Sequence, residues 1–76
     1  MKVTIYGKPN CTYCTMAKSL AENKKAEVRY LTMGEDYTAK NFMAEFPTAR
    51  TFPQIIFNGE KIGGYAALLT LLTNEE

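Results

Sequence analysis

The sequence predicts an α/β sandwich: one mixed four-stranded sheet flanked by helices, in the order β-α-β-α-β-β-α. Three observations carry this. Short alternating apolar runs stand at Lys2–Tyr6 and Glu27–Leu31, a helical-period segment of crossover length lies between them, and Asn58-Gly59 joins two further short strands. The 76 residues make one expected domain, 1–76, of a size that buries roughly 60% of the surface its unfolded chain exposes. With 46% hydrophobic and 22% charged residues, the chain lies outside the composition of disordered segments.

In the first run Val3 and Ile5 share one face, and Gly7-Lys8-Pro9-Asn10 supplies the turn that ends it. Cys14, Ala17, Leu20 and Ala21 then fall on one helical face, with Lys18, Glu22 and Lys25 outside, so a helix begins at Cys11. Glu27–Leu31 returns as a strand with Val28 and Tyr30 on one side, completing a β-α-β unit. Gly34-Glu35-Asp36 interrupts the pattern. Asp36 or Thr38 is positioned to cap a second helix carrying Ala39, Phe42, Met43 and Phe46 on its apolar face, and Pro47 ends it. Gln54–Phe57 and Glu60–Ile62 form the hairpin around Asn58-Gly59. After Gly63-Gly64, Tyr65, Leu68, Leu69 and Leu72 form the stripe of a closing helix of about two to three turns.

The formal net charge of +1 gives no global field toward nucleic acid or an acidic membrane surface. The first residues lack the apolar core of a secretory signal, and no run approaches the roughly 18 apolar residues of a membrane span. These readings predict a cytoplasmic protein, and the absence of a large unused apolar face predicts a monomer.

Chemistry centres on two cysteines in a chain without histidine. A closed tetrahedral zinc site takes four Cys or His ligands, so no metal is expected, and a bridge between Cys11 and Cys14 closes too short a loop to restrain the unfolded chain. Cysteines are often simply small buried hydrophobes, but burial alone gives no reason for a C-x-x-C spacing at a strand-to-helix turn, which reads as a redox motif. At a helix N-terminus unpaired N–H groups and partial positive charge favour the thiolate, the nucleophile of disulfide exchange, and Lys8 stands three residues upstream. Such settings bring cysteine pKa values from about 8.5 to roughly 3.5–7.5. Cys11 is therefore the candidate nucleophile. Cys14, one turn inward on the packed face, is the resolving thiol of a redox-active disulfide, and Tyr13 stands where an aromatic ring can shield the sulfur.

Three segments resemble the glutaredoxin family. Lys8-Pro9-Asn10-Cys11-Thr12-Tyr13-Cys14 is similar to its K-x-x-C-P-Y-C, Arg50-Thr51-Phe52-Pro53-Gln54 to its R-T-V-P-Q, and Ile62-Gly63-Gly64-Tyr65 to its I-G-G-Y/C/F. The resemblance covers nearly the whole chain. It implies a thioredoxin-like fold and a glutathione–disulfide oxidoreductase with glutathione as reductant and co-substrate. The implied glutathione site comprises Lys8, Tyr13, Lys40, Arg50, Thr51, Phe52, Pro53, Gly64, Tyr65 and Ala66. In it Lys8, Lys40 and Arg50 lie near the glycine carboxylate, Phe52 pairs its backbone with the peptide ahead of a cis Pro53, and N–H groups near Tyr65 and Ala66 hold the γ-glutamyl carboxylate. Implied partners are disulfide-bonded or glutathionylated proteins, ribonucleotide reductase among them.

Two positions depart from the family pattern. Thr12 stands where a proline is common, and Ala66 where an acidic or hydroxyl residue often follows G-G-x. Two alternatives accompany the main reading. One is a thioredoxin-like electron donor, against which the basic residues of the glutathione site argue. The other, motivated by Thr12, is a [2Fe–2S] carrier in which two chains and two glutathione thiols supply four thiolates.

Overall fold

Alternation along the first strand sends Val3 and Ile5 to one side of the sheet and Tyr6 to the other, and each side acquires its own apolar cluster. The computed structural model describes residues 1–73. Its elements are β1 (Lys2–Gly7), α1 (Thr12–Asn23), β2 (Glu27–Thr32), α2 (Ala39–Glu45), β3 (Gln54–Phe57), β4 (Glu60–Gly63) and α3 (Tyr65–Thr73). The expected domain 1–76 also takes in residues 74–76, which lie outside the described residues.

The sheet order is β2-β1-β3-β4. β1 pairs in parallel with β2, Ile5 opposite Tyr30, and antiparallel with β3, which turns through Asn58-Gly59 into antiparallel β4. This is the predicted mixed sheet. On one face Val3, Ile5 and Ile55 pack with Ala17 and Ala21 of α1 and with Leu68 and Leu72 of α3. On the other, Tyr37, Phe42 and Phe46 pack with Tyr6, Leu31, Phe52 and Ile56. Successive residues of a strand face opposite ways, so α1 and α3 cover one side and α2 the other.

Thr38, not Asp36, caps α2: its hydroxyl accepts the Asn41 N–H at 3.0 Å, and the Asn41 side chain accepts the Thr38 N–H at 3.3 Å. Asp36 instead accepts the Thr32 N–H at 2.8 Å, closing the loop after β2. The apolar stripes are narrower than their periodicity suggests. Met43 is 52% exposed and Ala39 is also exposed, because a helix of seven residues lies on the sheet mainly through Phe42 and the following Phe46. Leu69, on the predicted face of α3, is 37% exposed while Leu68 and Leu72 are buried.

The loop between β2 and α2 is tied to the end of β1. The Gly7 carbonyl accepts the Met33 N–H at 2.9 Å and the hydroxyl of buried Tyr37. Burial, with smaller contributions from Tyr30, Tyr6 and Asp36, pushes the Tyr37 phenol up from 10.0 to about 12. The unfolded chain therefore releases this proton first, and stability present at pH 10 is lost as pH rises toward about 12. Tyr37→Phe should lower stability at neutral pH by about 0.5–1.5 kcal/mol, since Met33 still serves the carbonyl, and should flatten this alkaline loss. Urea unfolding at neutral pH and at about pH 11 checks both, and an unchanged alkaline slope would contradict the assignment.

Candidate functional site

β1 must end and α1 must begin within four residues, Lys8 to Cys11. Asn10 takes φ 58°, a left-handed conformation that asparagine tolerates better than most residues, and aims the chain into the helix. Cys11 is the N-cap (φ −120°, ψ 104°), and its Sγ accepts the Cys14 N–H at 3.2 Å. Its carbonyl accepts the Thr15 N–H at 3.2 Å and the Thr15 hydroxyl at 3.3 Å. A sulfur has taken the place that a capping Ser or Asp oxygen usually fills. The first turn of α1 carries no acidic side chain to oppose an anion there.

Cys11 and Cys14 are joined as a disulfide with Cα atoms 5.2 Å apart. Cys14 is fully buried against the sheet, whereas Cys11 is half-buried, so Cys11 is the sulfur an incoming thiol can reach. Gly7 makes this packing possible. A Cβ at position 7 would lie 3.2 Å from both Cβ and Sγ of Cys14 and 2.9 Å from the Tyr30 hydroxyl, closer than side chains normally approach.

Beside the disulfide, Tyr13, Thr51, Phe52, Pro53, Gly64, Tyr65 and Ala66 line one groove of about 310 Å³. The Phe52–Pro53 peptide bond is cis, and Pro53 is buried at the groove floor. Gly63 adopts φ +106°, and a Cβ on Gly64 would lie 3.4 Å from the Pro53 carbonyl, so the paired glycines let α3 start hard against the proline loop. The Tyr13 and Tyr65 rings stand 5.7 Å apart, and Lys8 Nζ sits 5.3 Å from the centroid of the Phe52 ring.

The groove thus unites seven of the residues singled out in the sequence, with Lys8 reaching its Phe52 wall. Lys40 and Arg50 are not among its lining. Lys40 is exposed in the first turn of α2, and Arg50 lines a separate recess with Met43, Pro47, Thr48 and Ala49. On the β2 side of Cys11 a second, more polar recess of about 550 Å³ is lined by residues including Lys8, Thr15, Tyr30 and Thr32. Tyr30 reads in the sequence only as a strand residue beside Val28. A glycine at a strand end just before the C-x-x-C was the available signal of a close approach.

A disulfide held at a helix N-terminus on a thioredoxin-like sheet defines a thiol–disulfide oxidoreductase. The glutaredoxin family model matches residues 3–62. A glutaredoxin of Haemophilus influenzae is 37% identical over 71 residues, covering 84% of this chain and 82% of that protein. Mitochondrial glutaredoxin-2 of Bos taurus is 36% identical over 67 residues, 82% of this chain but 41% of that relative, so the chain spans well under half its length. The structure of reduced Escherichia coli glutaredoxin superposes with a TM-score of 0.80 at 27% identity, covering 99% of this chain and 96% of that one. The chain belongs to the glutaredoxin family.

The unequal exposure of the two sulfurs predicts the order of their reactions. With the protein reduced, a limiting amount of iodoacetamide should modify Cys11 well before Cys14, read by peptide mass mapping. Equal labelling of both in the folded protein would contradict the site geometry.

Proposed function

We propose that the protein is a glutathione-dependent oxidoreductase that reduces glutathione mixed disulfides and protein disulfides through Cys11 and Cys14. The observation that carries the reading is the half-buried Cys11 sulfur at the start of α1, accepting a backbone N–H, with the groove around cis Pro53 opening beside it.

With a mixed disulfide as substrate, the Cys11 thiolate attacks the glutathione sulfur. A Cys11–glutathione bond forms, and the substrate protein leaves as a thiolate that takes a proton from water. A second glutathione thiolate then attacks the bound glutathione sulfur, releasing glutathione disulfide and restoring the Cys11 thiolate. With a protein disulfide, Cys11 attacks one sulfur of the pair. Cys14 loses its proton and attacks the Cys11 sulfur, giving the Cys11–Cys14 disulfide and a reduced protein dithiol. Two glutathione molecules reopen that disulfide.

In this reading the cysteine of the tripeptide pairs with the Phe52 backbone, flanked by Thr51 and Pro53 and sheltered by Tyr13. Its γ-glutamyl carboxylate meets the unpaired N–H groups that open α3, near Gly64, Tyr65 and Ala66. Lys8 faces the glycine carboxylate, with Lys40 and Arg50 acting from outside the groove. Glutathionylated and disulfide-bonded proteins are the partners, met by a monomer in a reducing cytoplasm.

NADPH consumption coupled through glutathione and glutathione reductase should exceed consumption coupled through thioredoxin reductase. The reverse preference would overturn glutathione dependence. Cys11→Ser should abolish activity, whereas Cys14→Ser should keep mixed-disulfide reduction and lose protein-disulfide reduction. Replacing Lys40 and Arg50 together with Ala should raise the apparent KM for glutathione at low salt, each contributing about 0–1 kcal/mol, and less at high salt. No change at low salt would remove both residues from the site.

A further inference from the structure

We propose that the Tyr30 hydroxyl is the hydrogen-bond donor that receives the Cys14 sulfur when the disulfide opens, across a gap kept free by the missing side chain of Gly7. The inference rests on Cys14 being the resolving thiol.

Three elements build the arrangement. Tyr30 belongs to β2 and packs against the cluster of Val3, Ile5 and Ala17 on the α1 side of the sheet. Lys18, one turn beyond Cys14 on α1, holds its ammonium 5.2 Å from the centroid of the Tyr30 ring. The ring's hydroxyl reaches Gly7 at the end of β1. There the Tyr30 oxygen and the Cys14 sulfur both face the point a Gly7 Cβ would occupy, at 2.9 and 3.2 Å. Tyr37, the buried phenol near Gly7, already donates to the Gly7 carbonyl, whereas Tyr30 is half-buried. The Tyr30 hydroxyl has no hydrogen-bond partner among the described residues, and Tyr30 borders the polar recess beside Cys11.

The chemistry supplies a task for such a donor. When a glutathione thiolate attacks Cys11 Sγ, a new sulfur–sulfur bond forms, the Cys11–Cys14 bond breaks, and its electron pair stays on Cys14 Sγ. That sulfur is fully buried, where an anion is costly unless it is hydrogen-bonded. Burial raises the Tyr30 phenol above its ordinary range, so the hydroxyl keeps its proton at neutral pH and can donate a hydrogen bond. The hydrogen bond exists in the reduced protein and not in the disulfide, so it favours the reduced form.

Tyr30→Phe keeps the ring beneath Lys18 and removes only the donor. Wild type and variant are equilibrated with glutathione redox buffers, and the Cys11–Cys14 disulfide is quantified by alkylation and mass. The variant should be oxidised about five-fold more readily, the worth of one ordinary hydrogen bond, which corresponds to a potential about 20 mV more negative. Thermal midpoints of both redox forms separate a donor from a packing residue. Loss of a donor lowers the midpoint of the reduced form alone. If both forms fall equally and the potential stays with wild type, Tyr30 only packs and the inference is overturned. Wild type that forms no Cys11–Cys14 disulfide in these buffers would instead refute the dithiol reading itself, and the inference with it.

Discussion

The hydrogen bond from the Cys14 N–H to Cys11 Sγ is the contact on which the rest of the site depends, because it requires α1 to begin at one residue and no other. Several features impose that start. β1 is anchored at Gly7 by two donors from the loop after β2, Asn10 turns the chain in a left-handed conformation, and Cys14, Ala17 and Ala21 bury themselves on the sheet. A shift of α1 by one residue would rotate its face by about 100° and carry Cys14 out of the core. The sulfur would lose its amide together with its partner.

The sheet places the two halves of the site by the same logic. β1 and β3 are adjacent and antiparallel, so the turn leaving β1 and the segment entering β3 emerge at one end of the sheet. Cys11 lies on the first and cis Pro53 immediately before the second. α3 follows β4 through Gly63-Gly64 and closes the groove from the remaining side. The Phe52 ring joins the cluster on the far face, stacking on Phe42 at 4.6 Å, so packing beneath α2 steadies the residue whose backbone borders the groove.

Much of this was legible in the sequence because it rests on local rules. Period-two and period-3.6 patterns placed all seven elements in order, Asn58-Gly59 marked the hairpin, and the C-x-x-C after a turn placed a sulfur at a helix start. The failures are tertiary. Met43 and Leu69 match the helical period yet face outward, since the width of a buried stripe depends on how much of a short helix its neighbours cover. Arg50 follows the family motif, and that it lines a recess with Pro47 and Met43 rather than the groove beside Cys11 is a matter of folding that adjacency to Thr51 does not reveal. Tyr30 reads as an ordinary strand residue, and only the fold brings its hydroxyl beside Cys14.

The amide-rich start of α1 favours an anion on the Cys11 sulfur once the disulfide opens. The direct measurement is the pH dependence of Cys11 alkylation in the reduced Cys14→Ser protein, where one thiol is present. The rate should already be near its plateau at neutral pH. A rate that climbs about ten-fold per pH unit through neutrality and levels only above about 8.5, as for an unassisted thiol, would contradict it.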